Sequence, residues 1–362
     1  MPDKEDVVVG GATGGAGVGG LGAAIAAETH GALGEGEIQA RGYWELVWIR
    51  FKRDKVAIAS GIFLILLLLV AFVGAPIAKH FLGHTPNDTF EGLSRKVVNQ
   101  DTGHLARPLT HFCYLGFDLH RHCSVLILGS NGNGQDEFLR LLYGAQASLE
   151  VAVFSTIGVM IIGVTLGATA GYFRGWVDTV ISRVTEITMA FPFLLFIIAL
   201  AATIGPRLSN ITFGIFGKGV VSLIVIFTIF GWFYPARIMR AQTLSIREKE
   251  YVEAARMVGA SDSRIIRSHV LPHLVAPMIV YSTLLVASYV LAEAGLSYLS
   301  LGIDPTTAAS WGNMLADASN YFKSDFMLMI WPGLAVLLTT LAFNLMGDGL
   351  RDAFDPRAAQ QH

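Results

Sequence analysis

Charge is scarce in this chain. Only 15% of its 362 residues are Asp, Glu, Lys or Arg, where soluble domains carry about 25%, and the shortage argues against a freely soluble domain. The net charge of −2 leaves no basic excess to hold nucleic acid. No Gly-x4-Gly-Lys-Ser/Thr loop occurs: Gly217-Lys218 lacks the upstream glycine, so the chain has no phosphate cradle of that type. No catalytic triad is legible either. The first residues are acidic and glycine-rich, without a basic stretch leading into an apolar one, so no signal peptide is expected and the chain inserts through its own spans. Cysteine is limited to Cys113 and Cys123.

What the chain has instead is apolar length: 53% of its residues are hydrophobic and the mean hydropathy is +0.53. A bilayer-crossing helix needs about 20 consecutive apolar residues. Six stretches qualify, at about 56–78, 149–172, 184–205, 219–236, 273–295 and 326–346. The prolines in them (Pro192, Pro235, Pro277, Pro332) are tolerated in membrane helices because neighbouring groups re-satisfy the freed backbone. Gly158, Gly163, Gly167 and Gly171 give the second stretch the small-residue spacing that suits close helix packing.

Lys and Arg near span ends set the orientation. Arg41, Arg50, Lys52, Arg53 and Lys55 precede the first stretch, and Arg237, Arg240, Arg247, Lys249, Arg256, Arg264 and Arg267 crowd the loop between the fourth and fifth. With Arg351 and Arg357 in the tail, six spans put all three groups on one side, the cytoplasm. The expected organisation is a flexible Gly/Ala-rich cytoplasmic tail over 1–39, then a segment over 40–55 that is either an interfacial amphipathic helix or an extension of the first span. The first span covers 56–78, an outer segment 79–147, and a five-helix core 148–350 with its cytoplasmic loop at 237–272. A second cytoplasmic tail occupies 351–362. Gly15-x-Gly17-x-x-Gly20 matches a dinucleotide fingerprint, but no βαβ unit of adequate length follows before the first span.

The basic loop carries the most pattern. Ser245-Ile246-Arg247-Glu248 spells a capping box and predicts a helix start. Tyr251, Ala254, Ala255 and Val258 recur at helical spacing and predict one apolar face, with Glu253 on the polar side, open to a basic partner group. Gly259 predicts a left-handed stop, Ser261 or Asp262 a cap for a second short helix through Ile266, and Pro272 the start of the fifth span. The alternatives are a helix that receives a partner and one that lies on the membrane surface.

Glu253-Ala254-Ala255, Gly259 and Leu271-Pro272 resemble the loop of binding-protein-dependent ABC importer permeases, with His269 where isoleucine is usual. Leu141-Leu142-Tyr143-Gly144-Ala145, Ala170-Gly171-Tyr172-Phe173-Arg174-Gly175-Trp176, Ala190-Phe191-Pro192, Leu296-Ser297-Tyr298-Leu299-Ser300-Leu301-Gly302, Ser310-Trp311-Gly312-Asn313-Met314-Leu315 and Gly347-Asp348-Gly349-Leu350-Arg351-Asp352 are similar to the dipeptide, oligopeptide and nickel branch. The resemblance implies an all-α integral membrane protein of six transmembrane helices, of the type I importer kind, in a bacterial or archaeal cytoplasmic membrane with both termini inside. It implies a coupling helix on which Glu253, Ala254, Ala255, Val258, Gly259, Ser261, Leu271 and Pro272 meet an ATPase. Its partners are a second homologous permease, two ATP-binding subunits and an external substrate-binding protein; this chain itself binds no cofactor, ATP and Mg being held by those subunits. The cargo is a dipeptide or oligopeptide, with nickel chelates or another small solute as the alternative. One stretch departs: where the family reads Gly-Thr-Asp-x-x-Gly-Arg-Asp, this chain has Gly129-Ser130-Asn131-Gly132-Asn133-Gly134-Gln135-Asp136.

Cys113 and Cys123, on the outer side, suit a disulfide, with free thiols as an alternative. His111, Cys113, His120, His122 and Cys123, with His104 nearby, also offer zinc or copper ligands, although no metal site is expected. Glu186 and Glu293 fall inside apolar stretches, where each must face protein or water: either they line a pathway or they bond between helices. Two other function classes stand against the importer subunit. A stand-alone secondary transporter needs inverted repeats that are not apparent, and a membrane enzyme has only the His/Cys group to offer as a site.

Overall fold

The computed structural model describes residues 43–89, 109–115, 121–208, 219–323 and 325–355, with side chains omitted over 110–115 and 121–124. The expected tail over 1–39, the Gly15 fingerprint, most of 351–362, His104 and His120 lie outside the described residues. The chain divides into two units, Met1–Leu46 and Val47–His362.

Helix α1 (Tyr43–Phe51) begins the described chain. Asp54 then caps α2 (Lys55–Leu69), its carboxylate accepting from the Val56 and Ala57 amides at 2.9 and 3.1 Å. One π-helical turn, Val70–Gly74, joins α2 to α3 (Ala75–Leu82), so the first apolar stretch is a single helix over Lys55–Leu82. Between α3 and the long helix that follows, a hairpin of β1 (Thr110–Leu115) and β2 (Arg121–Leu126) adds a small antiparallel element to a fold expected to be helical throughout.

The central helix α4 (Glu137–Phe173) starts at the Asp136 cap, well before the apolar stretch that announced it. The third and fourth stretches are not single helices. The third comprises α5 (Gly175–Met189) and α6 (Phe193–Thr203), bent by 83° at Pro192. Proline lacks the amide that would bond back to the preceding turn, so here it ends a helix rather than being absorbed. After α7 (Gly205–Leu208), the fourth comprises α8 (Val220–Gly231) and α9 (Phe233–Arg247), bent by 41°. Next come α10 (Glu250–Met257) and α11 (Asp262–Ile265), a π-helical turn at Ile266–Val270, and α12 (Leu271–Tyr298). The chain closes with α13 (Trp311–Ser319) and α14 (Met327–Phe354). Among the described residues four helices are long and apolar enough to cross a membrane, and up to six spans result if each bent pair counts as one.

Helix α4 touches most of the others because its glycines let them in. A Cβ at Gly167 would lie 2.5 Å from the Ala236 carbonyl oxygen, and one at Gly171 2.7 Å from that of Arg240, so α9 packs backbone to backbone on α4. The expected effect of Gly167→Val is a loss of about 1–3 kcal/mol through overpacking, read as a lower melting temperature in detergent; an unchanged melting temperature would contradict this contact. Among the described residues the core has two main parts, beside a small cluster at Ala318 and Leu328. One runs through Leu149, Val159, Phe227, Tyr289, Trp311 and Phe343. The other gathers Met160, Tyr172 and Met239 with Val252, Ile265, Val270 and Leu274 from the basic loop and the helix that follows it.

Candidate functional site

The second core anchors the basic loop. Val252 and Ile265 are both fully buried, and each such side chain contributes about 1.5–3 kcal/mol through burial. The helix does not start at the predicted capping box. Helix α9 keeps its buried stripe (Ala236, Met239, Thr243, Ile246) through Arg247 and consumes Ser245 as an interior residue, so α10 begins at Glu250 with Lys249 at its cap position. The predicted apolar face also shifts. Val252 enters the core and Ala255 is half-buried, while Tyr251 and Val258 are exposed, Val258 by 89% and its neighbour Met257 by 83%. A helix of two turns seated on Val252 turns the 258 position outward.

The exit of α10 follows the expected chemistry. Gly259 takes φ +85°; the Ala260 amide donates to the Ala255 carbonyl at 3.0 Å and the Gly259 amide to that of Arg256 at 2.9 Å, a Schellman closure. Ser261 stands at the cap position of α11 without a side-chain cap bond. Leu271 and Pro272 do open α12, but they lie inside one continuous helix, Asp262–Tyr298. Glu253 and Ala254 are exposed beside Met257 and Val258. The result is a projecting surface of small and apolar groups with one acid, carried on a buried foot.

Tyr172, to which the sequence assigned no role, holds that foot. Its hydroxyl donates to Asp262 Oδ1 at 2.7 Å. The guanidinium carbons of Arg256 and Arg247 lie 5.2 and 5.8 Å from its ring centre, within cation–π range. Arg174 pairs with Glu248, and Arg240 grips Asp178 through Nε and through Nη2, the latter at 2.7 Å. The signal available in the sequence was an amphipathic aromatic closing a long apolar stretch beside an arginine. On the outside of the loop, Tyr251 stacks on His273 at 5.4 Å, and partial burial pushes its phenol above the usual value.

Glu186 is exposed, pairs with Arg183 at 2.9 Å, and lines a cavity of about 210 Å³ with Thr185, Arg237 and Arg240. Glu293 is fully buried and accepts from Ser148 at 2.6 Å and Ser297 at 2.7 Å, joining α12 to α4.

Away from the basic loop, at the start of α4, His84 Nε2 meets Asp136 Oδ2 at 2.8 Å, tying the end of α3 to the cap of α4. Arg140 reaches Gln135 Oε1 at 2.7 Å and Asp317 Oδ2 at 3.7 Å. Burial raises the Asp317 carboxyl above its ordinary value, opposed by the Arg140 guanidinium. In the hairpin the register sets Cys113 opposite Cys123, with His111 opposite Val125 and His122 opposite Tyr114. Directly opposed antiparallel positions are about 4.5–5.5 Å apart at Cα, within disulfide range. Thiol alkylation with and without prior reduction tests the bond: two thiols should be labelled only after reduction, and labelling without reduction would rule the bond out.

Residues 163–360 match the binding-protein-dependent transport system inner membrane component family. Residues 42–96 match the N-terminal TM domain of oligopeptide transport permease C. The chain is 34% identical over 314 residues to the glutathione transport system permease protein GsiD of Pectobacterium atrosepticum, covering 87% of this chain and 91% of that protein. It belongs to this permease family. A second relative, the dipeptide transport system permease protein DppC of Alkalihalophilus pseudofirmus, is 40% identical over 229 residues, 63% of this chain and 71% of its own length. A solved structure of the MetNI methionine ABC transporter in inward-facing conformations aligns with a TM-score of 0.49 at 18% identity, over 60% of this chain and 97% of that one. The permease is thus a multi-pass membrane subunit of an ABC importer. At the two positions that depart from the resemblance, the Asn131 amide donates to Gln135 Oε1 at 2.9 Å.

Proposed function

We propose that this permease forms half of the translocation path of a peptide importer and takes its driving force from ATP hydrolysed on separate subunits. The observation that carries the reading is α10. It exposes Glu253, Ala254, Met257 and Val258 while Val252 roots it in a core shared with α4, α9 and α12, so force applied to the loop reaches the helices directly. Val258, Gly259, Ser261, Leu271 and Pro272 shape the exit of that loop into α12, and Ala255 lies at its edge. The relatives named for dipeptide, glutathione and peptide transport support a peptide cargo over nickel chelates.

The working assembly pairs this chain with a second homologous permease, two ATP-binding subunits and an external binding protein. The chain itself performs no catalysis and holds no ATP or Mg. Lys and Arg around the basic loop support a cytoplasmic position for the loop and for both termini, by the positive-inside rule. Glu186, exposed in its cavity, is a candidate lining residue of the path; Glu293, bonded to two serines, is assigned to packing. Purifying the tagged chain in mild detergent and identifying its companions tests the assembly. ATPase subunits and a second permease should be recovered, and a preparation without any ATPase would overturn the reading. A ligand screen on the external binding protein then names the cargo, and selective nickel-chelate binding would displace peptides.

A further inference from the structure

A cavity of about 400 Å³ opens between the end of α3, the first turns of α4 and the segment before α13, lined by Lys79, Asn87, Tyr143, Gln146, Glu150 and Thr307 among others. Its volume is in the range of small-molecule sites. Glu150 is 8% exposed, and its hydrogen-bond partner is a neutral amide, Gln146 Nε2, at 3.1 Å. A buried carboxylate calls for a cation, yet Lys79 lines the same cavity without forming an ion pair with it. The cavity therefore presents the Glu150 carboxylate in its wall together with an exposed ammonium, Lys79.

We propose that this cavity binds a small zwitterion, a free short peptide, with its terminal ammonium on Glu150 and its terminal carboxylate on Lys79. An ammonium brings three donors and no acceptor, which answers the buried carboxylate, and a carboxylate at the other end finds the charge of Lys79. The inference rests on the peptide-importer reading and deepens it by giving this chain a subsite of its own that recognises both peptide ends. The external binding protein then is not the sole point of selection.

The test uses the purified complex of permeases and ATPase subunits without the binding protein, titrated calorimetrically with trialanine, N-acetyl-trialanine and trialanine amide. Wild type should bind trialanine and lose at least tenfold in affinity when either end is capped. Glu150→Gln should weaken trialanine at least tenfold and erase the difference made by acetylation, and Lys79→Met should erase the difference made by amidation. Equal binding of capped and free peptides by wild type, or no trialanine binding at all, overturns the site without relying on any variant. ATP-driven uptake of trialanine into vesicles, with the binding protein added, separates the two claims. Uptake by wild type together with unaltered peptide binding by Glu150→Gln removes the site and leaves the importer standing. A complex that imports another solute and no peptide removes both.

Discussion

Replacing Met257 and Val258 together with glutamate should release the ATPase subunits while leaving the permease folded. Both side chains are more than four-fifths exposed and neither belongs to a core cluster, and substitutions at such positions change stability by about 0.5 kcal/mol or less. At an interface the same two groups act as apolar anchors, and an anchor commonly contributes about 2 kcal/mol or more, roughly thirtyfold in affinity each. Two buried carboxylates add a desolvation penalty to that loss. The check pairs the melting temperature of the permease, expected unchanged, with the amount of ATPase recovered on the tagged chain, expected to fall more than a hundredfold. Retention of the ATPase at the wild-type level would move the contact away from α10.

Tyr172→Ala should uncouple the complex from the other side. The side chain is 2% exposed and sits in the loop's core. Truncating a buried aromatic costs about 3–5 kcal/mol, and here the loss falls on the foot of α10, because the ring faces Arg256 and Arg247 and the hydroxyl holds Asp262. The ATPase still finds Met257 and Val258, but their support gives way under load. The expected phenotype is ATP hydrolysis without uptake, together with faster amide exchange over 250–265. Tyr172→Phe keeps the ring and removes one hydrogen bond, about 0.5–1.5 kcal/mol, and should retain most of the uptake. Equal uptake by wild type and Tyr172→Ala would refute the mechanical role of this residue.

Much of this architecture was legible because composition writes it directly. Apolar stretches mark helices, Gly167 and Gly171 mark the close approach of α9, and Gly259 marks a left-handed stop. What escaped depends on competition between neighbours. Ser245-x-x-Glu248 is a sound cap in isolation, but the buried stripe of α9 runs past Ile246 and takes the serine into its own last turn. Val252 and Val258 have equal hydrophobicity, and only the pockets beneath α10 decide that 252 goes in. Pro192 shows in sequence, whereas its effect, an 83° bend, depends on what the next helix packs against. Cys113 and Cys123 are already a candidate pair by their spacing, and the strand register sets the two positions opposite each other. In the site, the exposed Glu253 and Ala254 of α10 followed from the motif, whereas the half-burial of Ala255 and the tyrosine anchor required coordinates.

Two polar bonds described separately fasten the same two rods. Ser148 meets Glu293 toward one end of α4, and Tyr172 meets Asp262 at its other end. Both partners lie on the unbroken helix Asp262–Tyr298. The pair is thus pinned at two levels, while the breaks at Pro192 and Trp232 fall in other members of the bundle.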